Sequence, residues 1–245
     1  LYFRLMKMSK TPNDDKSKSH DVKRMFSRIA RRYDQMNTLM TGGLHHRWRR
    51  HTINLLHPAK GSVILDIGCG TADLAIELAR HDPKTIIGLD FSRPMVELGC
   101  EKVASRNLEG KIQLGLGDAL NLPFPDSTLD CVATAFTLRN VSNIRQALQE
   151  IYRVTRPGGR VVSLEIVPVS KGLSSRLFQL GFKILVPILG AIFAKDRSAY
   201  RYLPNSVDNS FTGEEFAAMM QEIGFRKVSF QRLALGTVTI HVGEI

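Results

Sequence analysis

Cysteine is scarce in this chain. Cys69, Cys100 and Cys131 are the three among 245 residues. They stand at no metal-type spacing, and an odd number argues against a disulfide framework. A reducing, cytosolic compartment is the expectation. Long hydrophobic runs are missing too. The most apolar stretch, 173–195, is interrupted by Arg176, Lys183 and Pro187. Its uncharged part, Ile184–Ala194, is about half of the roughly 20 residues that a membrane span requires. That excludes a transmembrane helix and leaves a buried helical insertion or a lid facing lipid. The first twenty residues hold no continuous apolar stretch, so no secretory signal is expected. The opening Leu-Tyr-Phe has no initiator methionine and reads as the remnant of a tag.

Acidic residues are scarce at one end only. Residues 1–60 carry fourteen Lys/Arg against four Asp/Glu, whereas the remainder, twenty against nineteen, is almost neutral. A basic segment on a neutral body predicts an anionic partner such as a membrane surface. Residues 1–21 are expected to be a disordered basic arm, followed by one domain over 22–245. Within it, 22–57 reads as a helical cap broken at Thr41-Gly42-Gly43, and 170–205 as a helical insertion.

The rest alternates. Strands are predicted at Ser62–Asp66, Thr85–Asp90, Ile112–Leu116, Leu129–Ala135 and Arg160–Ile166. Helices are predicted at Ala72–Arg80, Pro94–Ser105 and Ile144–Thr155, with a turn at Pro157-Gly158-Gly159. A final helix, Thr212–Ile223, opens with Thr212 as N-cap and Glu215 three residues on, the capping-box spacing. Two closing strands, Lys227–Leu233 and Thr237–Val242, are expected to form an antiparallel edge. The pattern predicts an α/β fold: a doubly wound, Rossmann-like, mostly parallel sheet of seven strands. Ligands of such sheets sit at the carboxyl ends of the strands, near the switch point.

The first strand runs into "ILDIGCGTAD", residues 64–73, a glycine turn that opens a helix. A dinucleotide fingerprint would place a third glycine at position 73, but an acid, Asp73, stands there and would repel a pyrophosphate. Asp90 ends the second strand, where a carboxylate accepts both hydrogen bonds of a ribose diol. Asp118 follows the third strand, placed to accept from an adenine amino group while the Ala119 amide donates to the ring. With "RVTRPGGRVVSLE" leading into strand five, these features read as the S-adenosylmethionine pocket of a class I methyltransferase. That ligand carries no phosphate, so Asp73 is harmless.

Five segments narrow the substrate: "RRYDQMN" at 31–37, "GGLHHRW" at 42–48, "FTLRNV" at 136–141, "RVTRPGGRVVSLE" at 153–165 and "AYRYLPNSV" at 199–207. In order and spacing they resemble the C-methyltransferase family of ubiquinone and menaquinone biosynthesis. The resemblance runs from about Val22 to the closing "GTVTIHVGE". It implies methyl transfer from S-adenosylmethionine to a ring carbon of a prenylated quinol, with cofactor positions on Thr71, Asp90, Asp118 and Ala119. Asp66, Gly68 and Gly70 complete the expected cofactor set. Ala135 stands where the family often holds Ser beside the cofactor.

The chemistry asks for no metal. A ring carbon becomes nucleophilic once an ortho hydroxyl loses its proton, which calls for a base or a cation that favours the phenolate. Arg139 and Asn140, after strand four, are candidates to hold the phenolate. Tyr33, with Asp34 and Asn37, is placed in the cap to close over the ring, and His45 or His46 to relay a proton. An insoluble tail requires contact with a membrane, expected to be peripheral, at its inner face, and salt-sensitive. A nucleic-acid substrate is not expected. "TAFTLRN" lacks the Asp/Asn-Pro-Pro-aromatic stretch of amino-group methylation, and Cys131 lacks the Pro-Cys context of cytosine C5 chemistry.

Overall fold

A computed structural model describes residues 12–168, 206–208 and 210–245. The expected insertion at 170–205 lies outside them, as do residues 1–11 of the arm. Helix α1 (Pro12–Thr41) and helix α2 (Leu44–Leu56) precede strand β1 (Val63–Ile67). Then follow α3 (Asp73–Leu78), β2 (Thr85–Asp90), α4 (Arg93–Ala104), β3 (Ile112–Leu116), β4 (Leu129–Ala135), α5 (Ile144–Val154) and β5 (Thr155–Ile166). The chain closes with α6 (Gly213–Ile223), β6 (Arg226–Leu233) and β7 (Val238–Glu244).

The seven strands form one sheet in the order β3-β2-β1-β4-β5-β7-β6. All pairings from β3 to β5 are parallel, while β7 pairs antiparallel with both β5 and β6. Parallel strands need cover on both faces and so read as unbroken apolar runs. In β1, Ile64, Leu65 and Ile67 are all buried. One face packs on Ile53 and Leu56 of α2 and Leu74 and Leu78 of α3; the other packs on Leu148 and Ile151 of α5 and Phe216 and Met220 of α6. The α6 start carries the reciprocal cap that its sequence announces. Thr212 Oγ1 accepts from the Glu215 amide at 3.2 Å, and the Glu215 carboxylate accepts from the Thr212 amide at 2.9 Å.

Two elements depart from expectation. Residues 12–21, expected to lack regular structure, belong to α1, which begins at Pro12. Proline suits a first helical position, and Val22, Met25, Ile29 and Met36 bury one face of the helix. Packing of such a stripe stabilises a helix more than its propensities do. The Pro157-Gly158-Gly159 turn is absorbed into β5. Thr155 pairs with Leu129 and Arg160 with Cys131, so the intervening residues bulge out of register. Gly158 takes φ +77°, and a Cβ on Gly159 would lie 2.9 Å from the Asp130 carbonyl oxygen. The helix break expected after Thr41 falls at Gly42-Gly43.

Candidate functional site

The carboxyl ends of β1, β2, β3 and β4 surround a cavity of about 430 Å³, roofed by α1 through Val22, Phe26 and Tyr33. Its floor is the glycine turn. Gly68 and Gly70 adopt φ +67° and +53°, a region that costs glycine little. The Gly68 and Cys69 amides donate to the Leu89 carbonyl at 2.7 and 3.1 Å, lashing the turn to β2. A Cβ on Gly68 would lie 2.2 Å from the Thr137 side chain, so the turn also fits closely under the end of β4.

Asp90 is buried at the end of β2. Its carboxylate accepts from the Gly70 amide at 2.9 Å and the Ser92 amide at 2.8 Å. Burial pushes its pKa up, and these amides oppose the shift. Two donors leave part of an ionised carboxylate's acceptor capacity for a ligand. Asp118 accepts from the Leu120 amide at 2.9 Å, with Ala119 beside it on the cavity wall. Beyond β4, Phe136 is held at φ +60°. Leu138–Asn140 form a 3-10 turn. The Leu138 amide donates to the Glu165 carboxylate at 2.6 Å, and the Arg139 guanidinium pairs with the same carboxylate at 3.0 Å. Both side chains are buried, and burial pushes Glu165 up despite the opposing Arg139 charge.

A polar cluster fastens the cap. The Lys102 ammonium of α4 meets the carboxylate of Asp34 on α1, the Thr71 hydroxyl at 3.0 Å and Asp73 at 2.7 Å. Thr71 donates to Asp34 at 2.7 Å, and Arg49 of α2 lies 3.1 Å from Asp73. Burial raises the pKa of Asp73, but the charges of Arg49 and Lys102 outweigh it and the net shift is downward. The acid at the third-glycine position therefore joins both cap helices to the cofactor loop.

Eight of the twelve expected site residues line the cavity: Tyr33, Gly68, Gly70, Asp90, Asp118, Ala119, Ala135 and Asn140. Four do not. Asp66 is buried under the turn at 1 % exposure, where burial, the largest influence, pushes its pKa to about 7. Its backbone hydrogen-bond partner is Ala75 of α3. Thr71 is turned away into the cap cluster. Arg139, expected to reach a phenolate, is spent on Glu165, because a buried guanidinium needs a charged partner. His45 hydrogen-bonds Thr41 at 2.8 Å, and burial lowers its pKa to about 4, so it stays neutral and off the cavity. His46 is exposed and packs against it. Sequence reasoning passed over Glu165 and Lys102. An acid inside the apolar run "VVSLEI" was the available signal for the first, since unpaired acids are rarely buried. No local signal marked the second.

The lining tests the expected ligand. Among the described residues it holds two carboxylates and neither Lys nor Arg. That set suits a diol, an amino group and a positive charge, and it disfavours phosphate. S-adenosylmethionine fits this description, and the volume lies within the range of small-molecule sites.

Comparison with known proteins agrees. The ubiE/COQ5 methyltransferase family matches residues 14–244. The chain is 40% identical over 229 residues to the ubiquinone/menaquinone biosynthesis C-methyltransferase UbiE of Geobacter sulfurreducens, covering 93% of this chain and 89% of that protein. It is 41% identical over 221 residues to the demethylmenaquinone methyltransferase of Thermus thermophilus, covering 90% and 99%. In fold it is similar to the [4+2]-cyclase SpnF, with a TM-score of 0.70 at 17% identity over 92% of this chain and 95% of that one. It is also similar to an S-adenosyl-L-methionine-dependent methyltransferase of Methanococcus maripaludis, with a TM-score of 0.63 at 22% identity over 98% and 97%. The chain belongs to the ubiE/COQ5 methyltransferase family and is an S-adenosylmethionine-dependent methyltransferase.

Proposed function

We propose that the chain methylates a ring carbon of a prenylated quinol, either demethylmenaquinol, the demethylated benzoquinol of ubiquinone synthesis, or both. The observation that carries this reading is the cavity itself. It sets two carboxylates, Asp90 and Asp118, with no Lys or Arg among the described lining residues, beside the apolar side chains of Phe26, Leu116, Phe136 and Val141. The relatives named for these reactions match nearly the whole chain.

Bound there, S-adenosylmethionine supplies an electrophilic methyl group on a cationic sulfur. Asp90 would accept from its ribose hydroxyls and Asp118 from its adenine amino group. Neither Gly68 nor Gly70 projects a side chain into the space between them. Tyr33 reaches the cavity from the cap and Asn140 from the turn after β4. Asn140 Oδ1 would accept the hydrogen bond of the ring hydroxyl, or of a water that takes up its proton. Arg139 would act at one remove, since its pair with Glu165 fixes the turn that presents Asn140. Phe26, Phe91 and Tyr33, in edge-on contact at ring separations of 6.0 and 6.4 Å, would keep water from the ring. Positioning of this kind supplies much of a transfer rate.

The tail of the substrate calls for peripheral contact with an anionic membrane, at its inner face, through the basic N-terminal segment. No described helix is long and apolar enough to cross a membrane.

The test uses purified protein, labelled S-adenosylmethionine and chemically reduced demethylmenaquinol beside the demethylated benzoquinol, in detergent. Ring-carbon methylation of the naphthoquinol alone assigns menaquinone synthesis, and methylation of both assigns a dual role. Methyl on oxygen, or no transfer with cofactor binding intact, would sink the reading.

A further inference from the structure

Among the described residues, four large hydrophobic side chains are exposed: Leu39, Leu44, Leu116 and Leu235. All four gather at one end of the molecule. Leu116 ends β3 and lines the cavity. Leu235 sits in the β6–β7 connection, 82% exposed and held at φ +56°. That connection abuts the carboxyl end of β5, because Val167 donates to the Thr237 carbonyl at 2.9 Å and Ile166 pairs with Val238. Leu39 and Leu44 flank the Gly42-Gly43 corner. Helix α2 starts above the carboxyl edge, where Arg49 reaches Asp73 and lies over the Phe136 ring. It ends at the opposite edge, where Arg160 at the start of β5's parallel run reaches the Leu55 carbonyl. The corner therefore overhangs the same end of the sheet as the cavity.

The exposed charge that the two cap helices bring to this end between residues 22 and 57 is basic. On α1, the exposed residues Arg24, Arg28, Arg31, Gln35 and Leu39 recur at three- and four-residue steps and so share one face, flanking that of the buried Met25, Ile29 and Met36. On α2, Leu44, Arg47 and Arg50 make a second exposed stripe at steps of three. The one acid between residues 22 and 57, Asp34, is engaged by Lys102. A cationic surface tipped with isolated leucines complements an anionic interface with an apolar interior.

We infer that the carboxyl edge of the sheet, with the outer face of α1, the Gly42-Gly43 corner and the Leu235 loop, is the face that docks on an anionic lipid bilayer. The inference rests on the quinol reading and sharpens it. Docked this way, the carboxyl edge that carries the cavity and its exposed lining residue Leu116 lies against the bilayer, which shortens the path of a prenylated ring from lipid to site. Leu39, Leu44 and Leu235 enter the interface, and Arg24, Arg31, Arg47 and Arg50 meet the headgroups.

The experiment is flotation of the full chain with vesicles of pure phosphatidylcholine, or of phosphatidylcholine with roughly one-third phosphatidylglycerol. The parent is compared with L44S/L235S and R31E/R47E. Melting temperature and transfer to a short-tailed quinol in detergent serve as controls for folding. The expected result is salt-sensitive binding to the anionic vesicles only, weakened on the order of tenfold in each double variant, with transfer in detergent unchanged. Parent protein that transfers methyl in detergent but does not float would overturn the docking face and leave the enzyme reading standing. Binding that persists in both variants would also overturn it, as would R31E/R47E losing a labelled RNA while keeping vesicles. Binding of the expected pattern without methyl transfer to either quinol upholds the face and overturns the quinol reading.

Discussion

The carboxylate of Asp90 accepts from the Gly70 and Ser92 amides at 2.9 and 2.8 Å while lining the cavity, so one side chain both shapes the turn and faces the proposed cofactor space. Hydrogen bonds to a charged group contribute about 1.5–3 kcal/mol each. Asp90→Ala is expected to weaken S-adenosylhomocysteine binding by about ten- to a hundredfold, measured by calorimetry. Unchanged affinity would remove Asp90 from the site. Asp66, on the neighbouring strand β1, behaves differently. Burial raises its folded pKa from 3.8 to about 7. A raised pKa stabilises the fold below the unfolded value, and that contribution is lost as pH climbs through the folded one. Asp66→Asn imitates the protonated acid and carries no such loss. The stability advantage of the variant over the parent should therefore grow between pH about 4 and 7 and then level off, read from thermal unfolding across that range. A pH-independent difference would contradict the assignment. The places of Asp90 and Asp118 on the cavity wall were legible because each follows a predicted parallel strand, and such cavities open at the carboxyl ends of the strands. The pairing of Arg139 was hidden because its partner, Glu165, lies 26 residues away on another strand.

Among the elements, the cap is held by few contacts of the kind that can be removed singly. Lys102 on α4 touches Asp34 on α1 and both Thr71 and Asp73 at the start of α3. Lys102→Met keeps the apolar stem and removes the charge, leaving Asp34 and Asp73 to repel one another. Amide exchange in α1 between residues 22 and 41 should quicken by about tenfold or more, with β1 and β4 unaffected, since local opening follows local contacts. Uniform acceleration across the sheet would mean that the cluster supports the whole fold instead. Helix and strand positions followed from periodicity, and α6 from its capping box. The length of α1 did not, because the sequence of residues 12–21 carries no apolar stripe of its own, unlike the later part of the helix with the buried Val22, Met25, Ile29 and Met36. The bulge in β5 was also hidden. "TRPGG" has the composition of a turn, and only pairing with β4 on either side makes it part of a strand.

For the whole molecule, both faces of one sheet share a single pair of cores, and the cap is tied to that sheet through its cofactor loop. A ligand in the cavity should therefore stabilise everything together. S-adenosylhomocysteine at a hundred times its Kd adds about 2.7 kcal/mol, which for a chain of this size raises the melting temperature by about 5–10 °C in one transition. Asp90→Ala should lose most of that rise at the same concentration. A rise confined to part of a two-step melt would mean that the cap and sheet unfold apart.

The sequence by itself determined what depends on near neighbours: the alternating elements, the glycine turn, the acids Asp90 and Asp118 at and after strand ends, the α6 cap and the basic N-terminal quarter. Each of these is a local conformational preference or a sum of charges, and both survive in a linear reading. The tertiary structure alone decided which polar side chains meet. Lys102 finds Asp34 at a separation of 68 residues, Arg139 finds Glu165, and β7 slips between β5 and β6. Burial compels those pairings, because a charge or a backbone amide removed from water must find a partner wherever the sheet register brings one. Register is a property of the assembled strands.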